Sequence, residues 1–144
     1  MSPIKREFIL YLEDMLQSMN RIEEYLGELD FRKFKMNYLV VDAIIRNFEI
    51  IGEASKKIPI DIQEKYPEIP WQKMYGLRNL IAHEYFGIDY EMIWEIAKKN
   101  LPGNRIDLQK IIESSLKRYS RHCERSEAIY ISLSNRLLRR ASSQ

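Results

Sequence analysis

The sequence predicts an all-α protein, an antiparallel bundle of four to five helices followed by a basic C-terminal extension. Two observations carry this expectation. Only five glycines and five prolines punctuate 144 residues, too few turns for a fold of many short strands. Apolar residues also recur every three or four positions over long stretches, the spacing of helices that each bury one face. With 45% apolar and 31% charged residues, the composition suits a globular chain rather than a disordered one.

The first stripe runs Ile4, Phe8, Leu12, Met15, Met19, Ile22, Leu26 and stops at Gly27, a residue that readily ends a helix. A second runs Phe34, Tyr38, Val41, Ile44, Ile45, Phe48, Ile51. Lys56 and Lys57 suit the negative end of its dipole, and Pro59 blocks continuation. Two such helices on a short link should pair antiparallel. Ile58 to Pro70 reads as a connector in which Asp61 and Glu64 form the D-x-x-E of a capping box, enough for one short turn. Pro70 opens a third helix from Trp71 to near Tyr85, stopped by Gly87. Asp89 caps a fourth, Tyr90 to Asn100. Leu101-Pro102-Gly103-Asn104 reads as a break before a fifth helix carrying Ile106, Leu108, Ile111, Ile112 and Leu116.

The expected domain is 1–117, and 118–144 is an arginine-rich tail, partly helical or disordered. Residues 1–117 hold 17 basic and 19 acidic groups, whereas the tail has six arginines, no lysine and two glutamates. The positive balance of the chain therefore belongs to the tail. Such charge fits a solvated extension, or an arm that attracts phosphate without sequence preference. Its RHCERSEAI run resembles the translation of a bacterial repetitive DNA element.

A single cysteine, Cys123, excludes an internal disulfide framework and a multi-thiolate zinc site, and no metal or cofactor is expected. No stretch approaches the roughly 20 apolar residues that span a bilayer, and the N-terminus has no signal-peptide pattern. The expectation is a cytoplasmic protein without a membrane partner.

The chemistry-bearing segment is GLRNLIAHEYFG, Gly76 to Gly87. Asn79 and His83 are four apart and share a helix face, so the amide could orient the imidazole. Arg78 and His83, five apart, point about 140° away from each other on an ideal helix. Histidine moves protons near neutral pH, and arginine offers phosphate oxygens a permanently charged fork of donors. Together they fit metal-independent RNA cleavage, in which a ribose 2′-OH attacks the adjacent phosphorus and guanidinium stabilises the charge that develops. The same residues also fit a surface ion pair of Arg78 with Glu84 or Asp89, and residue types alone leave both readings open. Arg46, Glu49 and Glu53, spaced three and four apart, fit either electrostatic support for a cleft or an ordinary helix-surface ladder.

R-x4-H-x-Y, as Arg78, His83 and Tyr85, resembles the signature of the HEPN superfamily, specifically the HepT-like toxins of HEPN/MNT toxin–antitoxin pairs. DFRKF around Phe31, AIIRNFEIIGEASKKIP from Ala43 to Pro59, IPW at Ile69 to Trp71, and GLRNLIAHEYFGIDYEMIWEIAKKNLP up to Pro102 resemble that family in order. The resemblance covers Ile4 to Leu116. It implies a helical bundle that forms a homodimer and sets the R-x4-H segments of two subunits in one cleft. It implies an endoribonuclease toxin with Arg78 and His83 as the catalytic pair and Asn79 as the polar residue beside them. It also implies a cognate MNT-type nucleotidyltransferase that acts as antitoxin by transferring AMP to Tyr85. The alternative from another class is a non-catalytic helical module that docks a nucleotidyltransferase or RNA.

Overall fold

The computed structural model describes residues 3–82 and 87–141. All regular structure among them is helical, as the periodicity predicts. The chain divides into two units, Met1–Ile112 and Glu113–Gln144.

In the first unit, α1 (Pro3–Leu26) and α3 (Tyr38–Lys56) form the main helix pair, and α3 also packs against α5 (Trp71–Ala82). The first sequence stripe becomes the buried face of α1: Leu12, Met15, Met19 and Ile22 are at most 2% exposed. Ile44, Phe48 and Ile51 of α3 meet them in the core. Each buried side chain of this size contributes about 1.5–3 kcal/mol relative to exposure, so these two stripes largely define the fold. Gly27 ends α1 with φ +44, a backbone state that glycine adopts without penalty.

Phe34 does not belong to the second long helix. It lies in a separate short helix, α2 (Phe31–Met36), capped by Asp30, whose carboxylate accepts the Lys33 N–H at 2.8 Å. Asn37 then caps α3, its side-chain oxygen accepting the Val40 N–H at 3.2 Å. Two side-chain caps seven residues apart thus split what the apolar stripe alone reads as one helix. Phe34 remains fully buried and packs with Phe31 against Trp94, at ring-centroid distances of 5.2 and 5.9 Å.

The D-x-x-E box is also corrected. Helix α4 (Ile60–Lys65) starts two residues earlier, with Pro59 rather than Asp61 at its N-cap, and has no side-chain cap hydrogen bond. Its C-terminal carbonyls find a different donor: Trp71 Nε1–H donates to Tyr66 O at 2.9 Å and to Gln63 O at 3.2 Å. Asp89 caps α6 (Tyr90–Glu95) as expected, accepting the Met92 N–H at 2.9 Å.

The expected break at Leu101 to Asn104 is absent. A π-helical turn, Ile96–Asn100, runs directly into α7 (Leu101–Ala141). The Leu101 N–H bonds to Ile96 O, and this wider turn accommodates a proline ring that an α-helix interior would reject. Leu101, Leu108, Ile111 and Ile112 add to the core of the first unit. The second unit is the remainder of α7, so the arginine-rich segment is helical to Ala141. Among the described residues no helix is long and apolar enough to cross a membrane.

Candidate active site

The α3–α5 seam fixes the position of Arg78. Gly52 of α3 faces α5, and a β-carbon there would meet Arg78 Cβ, Arg78 N and the Met74 carbonyl oxygen. Only a residue without a side chain lets the two backbones come this close. One residue further along α3, Glu53 reaches across, and its Oε1 stands 2.6 Å from Arg78 Nη1. One helical turn beyond Gly52, Lys56 Nζ lies over the Tyr75 ring at 6.0 Å from its centroid. Backbone contact, ion pair and cation–π contact thus follow one another along a single seam.

The Arg78 and Glu53 side chains are 50% and 48% exposed. An ion pair in such a setting contributes only about 0–1 kcal/mol to stability. Its consequence is geometric: the guanidinium is held at α3 while half of the side chain stays open to solvent. A fork of five donors has room for an anion beyond one carboxylate.

The other site residues separate. Asn79 is exposed on α5. Arg46 pairs with Glu49 on its own helix at 3.0 Å, so of the three residues read as possible cleft support only Glu53 reaches Arg78. Of the two surface partners considered for Arg78, Asp89 caps α6 instead, and Glu84 lies outside the described residues. His83 and Tyr85 also lie outside them. Among the described residues no group of histidine, cysteine and carboxylate side chains could hold a metal ion.

Gly52 is the residue that sequence reasoning missed. Its signal was present, because a glycine inside an apolar helical stripe costs about 1 kcal/mol against alanine and calls for a close approach to account for it. A separate cavity of about 570 Å³ lies on another side of α5, lined by Lys73, Leu77, Leu80, Ile96 and Asn100. Leu77 and Leu80 sit about 100° and 200° round the helix from Arg78.

Comparison with known proteins places the chain in a family. The Ribonuclease HepT-like family model matches residues 15–123. The chain belongs to the HepT-like family. Among HepT-like relatives, "Putative RNase MJ1380" of Methanocaldococcus jannaschii is 45% identical over 68% of this chain and 90% of its own length. "Probable ribonuclease HepT" of Thermococcus cleftensis is 39% identical over 75% of this chain and 98% of its own length. No solved structure matches the chain. The HepT-like match takes in α2 to α6, with Arg78, Glu53 and Gly52, and it ends inside α7.

Proposed function

We propose that this HepT-like chain is a metal-independent endoribonuclease toxin that cuts RNA through Arg78 and His83. The observation that carries the reading is Arg78 itself, oriented by Glu53 at 2.6 Å over Gly52 and still half exposed, within a family described as ribonuclease-like.

In this mechanism the His83 imidazole takes the proton of a ribose 2′-OH. The freed oxygen attacks the adjacent phosphorus, and the 5′-oxygen leaves with a proton returned by imidazolium or water. The products are a 2′,3′-cyclic phosphate and a 5′-hydroxyl. Arg78 stabilises the extra negative charge on the phosphorane, the task for which a fixed guanidinium is best suited. Asn79, four residues before His83, would orient the imidazole.

The angle of about 140° between positions 78 and 83 on an ideal helix favours a homodimer, in which each cleft draws groups from both chains. Tyr85, two residues after His83, is the proposed acceptor of AMP from a cognate MNT-type nucleotidyltransferase antitoxin. An anionic adduct there would repel the phosphate backbone and block the RNA path.

The test is digestion of RNA by purified protein in EDTA. The reading requires cyclic-phosphate ends from the parent and a rate loss of at least about 100-fold in both Arg78→Ala and His83→Ala. Arg78→Lys, which keeps the charge but not the fork, should stay strongly impaired. Binding without any cleavage by the parent protein would favour the docking-module alternative.

A further inference from the structure

The six arginines of the tail are Arg118, Arg121, Arg125, Arg136, Arg139 and Arg140. All lie within the helical span of α7. At about 100° per residue, their register positions fall within an arc of about 100°, and Glu124 and Glu127 fall outside it. The first three are exposed. The chain from Arg118 to Arg140 extends about 33 Å at 1.5 Å per residue. The six arginines therefore share one register arc along the helix, and neither glutamate of the tail falls inside it.

We infer that this row is a binding arm for the phosphate backbone of single-stranded RNA. Three features favour that partner. The basic residues are all arginine, whose planar fork engages phosphate oxygens in pairs and keeps its charge at any physiological pH. Their row follows one line along a helix, as a polyanionic strand requires and as an isolated anion does not. Four of the six also lie beyond residue 123, where the HepT-like match ends, so most of the arm lies outside the matched region. Its charge acts on any polyanion nearby. The assignment rests on the ribonuclease reading only for the identity of the strand, because backbone binding itself needs no catalysis.

The experiment measures binding of a fluorescent 2′-O-methyl oligonucleotide, which lacks the internal nucleophile and cannot be cut by the proposed route. Full-length parent is compared with the Arg118→Gln/Arg121→Gln/Arg125→Gln triple variant across a salt series, with helicity of each checked by circular dichroism. Three lost phosphate contacts should lower the slope of log affinity against log salt by about 2. Affinity at low salt should fall by about 10-fold or more, alike for unrelated sequences. The corresponding triple lysine variant should retain most of the binding and the slope.

Unchanged slope and affinity in the glutamine variant would overturn the assignment. So would intact oligonucleotide binding alongside lost binding to vesicles containing phosphatidylserine, which would give the arm a membrane partner instead. The two proposals fail separately. A parent that binds in this arginine-dependent way but leaves RNA uncut refutes the nuclease and keeps the arm. A glutamine variant that binds like the parent refutes the arm, whatever the nuclease does.

Discussion

A β-carbon on Gly52 would stand 3.0 Å from Arg78 Cβ and 3.1 Å from Arg78 N, so α3 and α5 meet there with no side chain between them. Both opposing atoms are at or next to the backbone and cannot swing aside. Gly52→Ala should therefore push the helices apart. Overpacking of about 1–3 kcal/mol outweighs a helix-propensity gain of about 1 kcal/mol, for a net loss near 1 kcal/mol measured by urea unfolding. RNA cleavage should fall with it, because the displaced residue is Arg78. A variant more stable than the parent would show that the seam is looser than this.

Glu53 separates orientation from stability. Its ion pair with Arg78 is half exposed on both sides, so Glu53→Gln should change unfolding free energy by no more than about 0.5 kcal/mol. The turnover rate should drop by about 10-fold as Arg78 loses its fixed partner, while KM stays level or falls because a competing anion is gone. An equal loss through KM alone would mean that Glu53 acts on substrate binding, not on Arg78.

Tyr85→Phe should uncouple modification from catalysis. Co-expressed with the cognate nucleotidyltransferase, the parent peptide containing Tyr85 should gain AMP masses in mass spectrometry and the phenylalanine variant should not. The variant should cut RNA as the parent does and resist neutralisation. Equal modification of both would move the acceptor elsewhere.

Trp71 provides a structural control two helical turns before Arg78 on α5. Its indole N–H serves two carbonyls at the end of α4. Trp71→Phe keeps an aromatic ring in the buried site but removes the indole donor from Gln63 O and leaves Tyr66 O with only the Ile69 N–H, at a cost of about 1–2 kcal/mol in chemical denaturation. Cleavage at a temperature where the variant is folded should match the parent.

Much of this molecule was legible from spacing alone. The α1 stripe from Phe8 to Leu26, the α3 stripe from Val41 to Ile51, the stop at Gly27 and the start at Asp89 follow from periodicity and capping, which are local. The errors arose where two local signals competed. Asn37 caps a helix inside a continuous apolar stripe, and Pro102 follows a π turn that makes room for it. At the candidate site, Arg78 stood out by its company with Asn79 and His83. Its partner Glu53 is 25 positions away, and only the antiparallel packing of α3 on α5 joins them. Gly52 was hidden for the same reason: a missing side chain has meaning only once its neighbour is known.

The π turn at Ile96–Asn100 has a bearing on descent. Its hydrogen bonds span one residue more than those of an α-helix, so it stores the equivalent of a single inserted amino acid without opening a loop. Removing one residue there would rotate Leu101, Leu108 and Ile111 by about 100° about the helix axis, off the hydrophobic centre they now fill. Genes in this lineage can therefore gain or lose a codon at this turn only if the helix that follows is refaced to match.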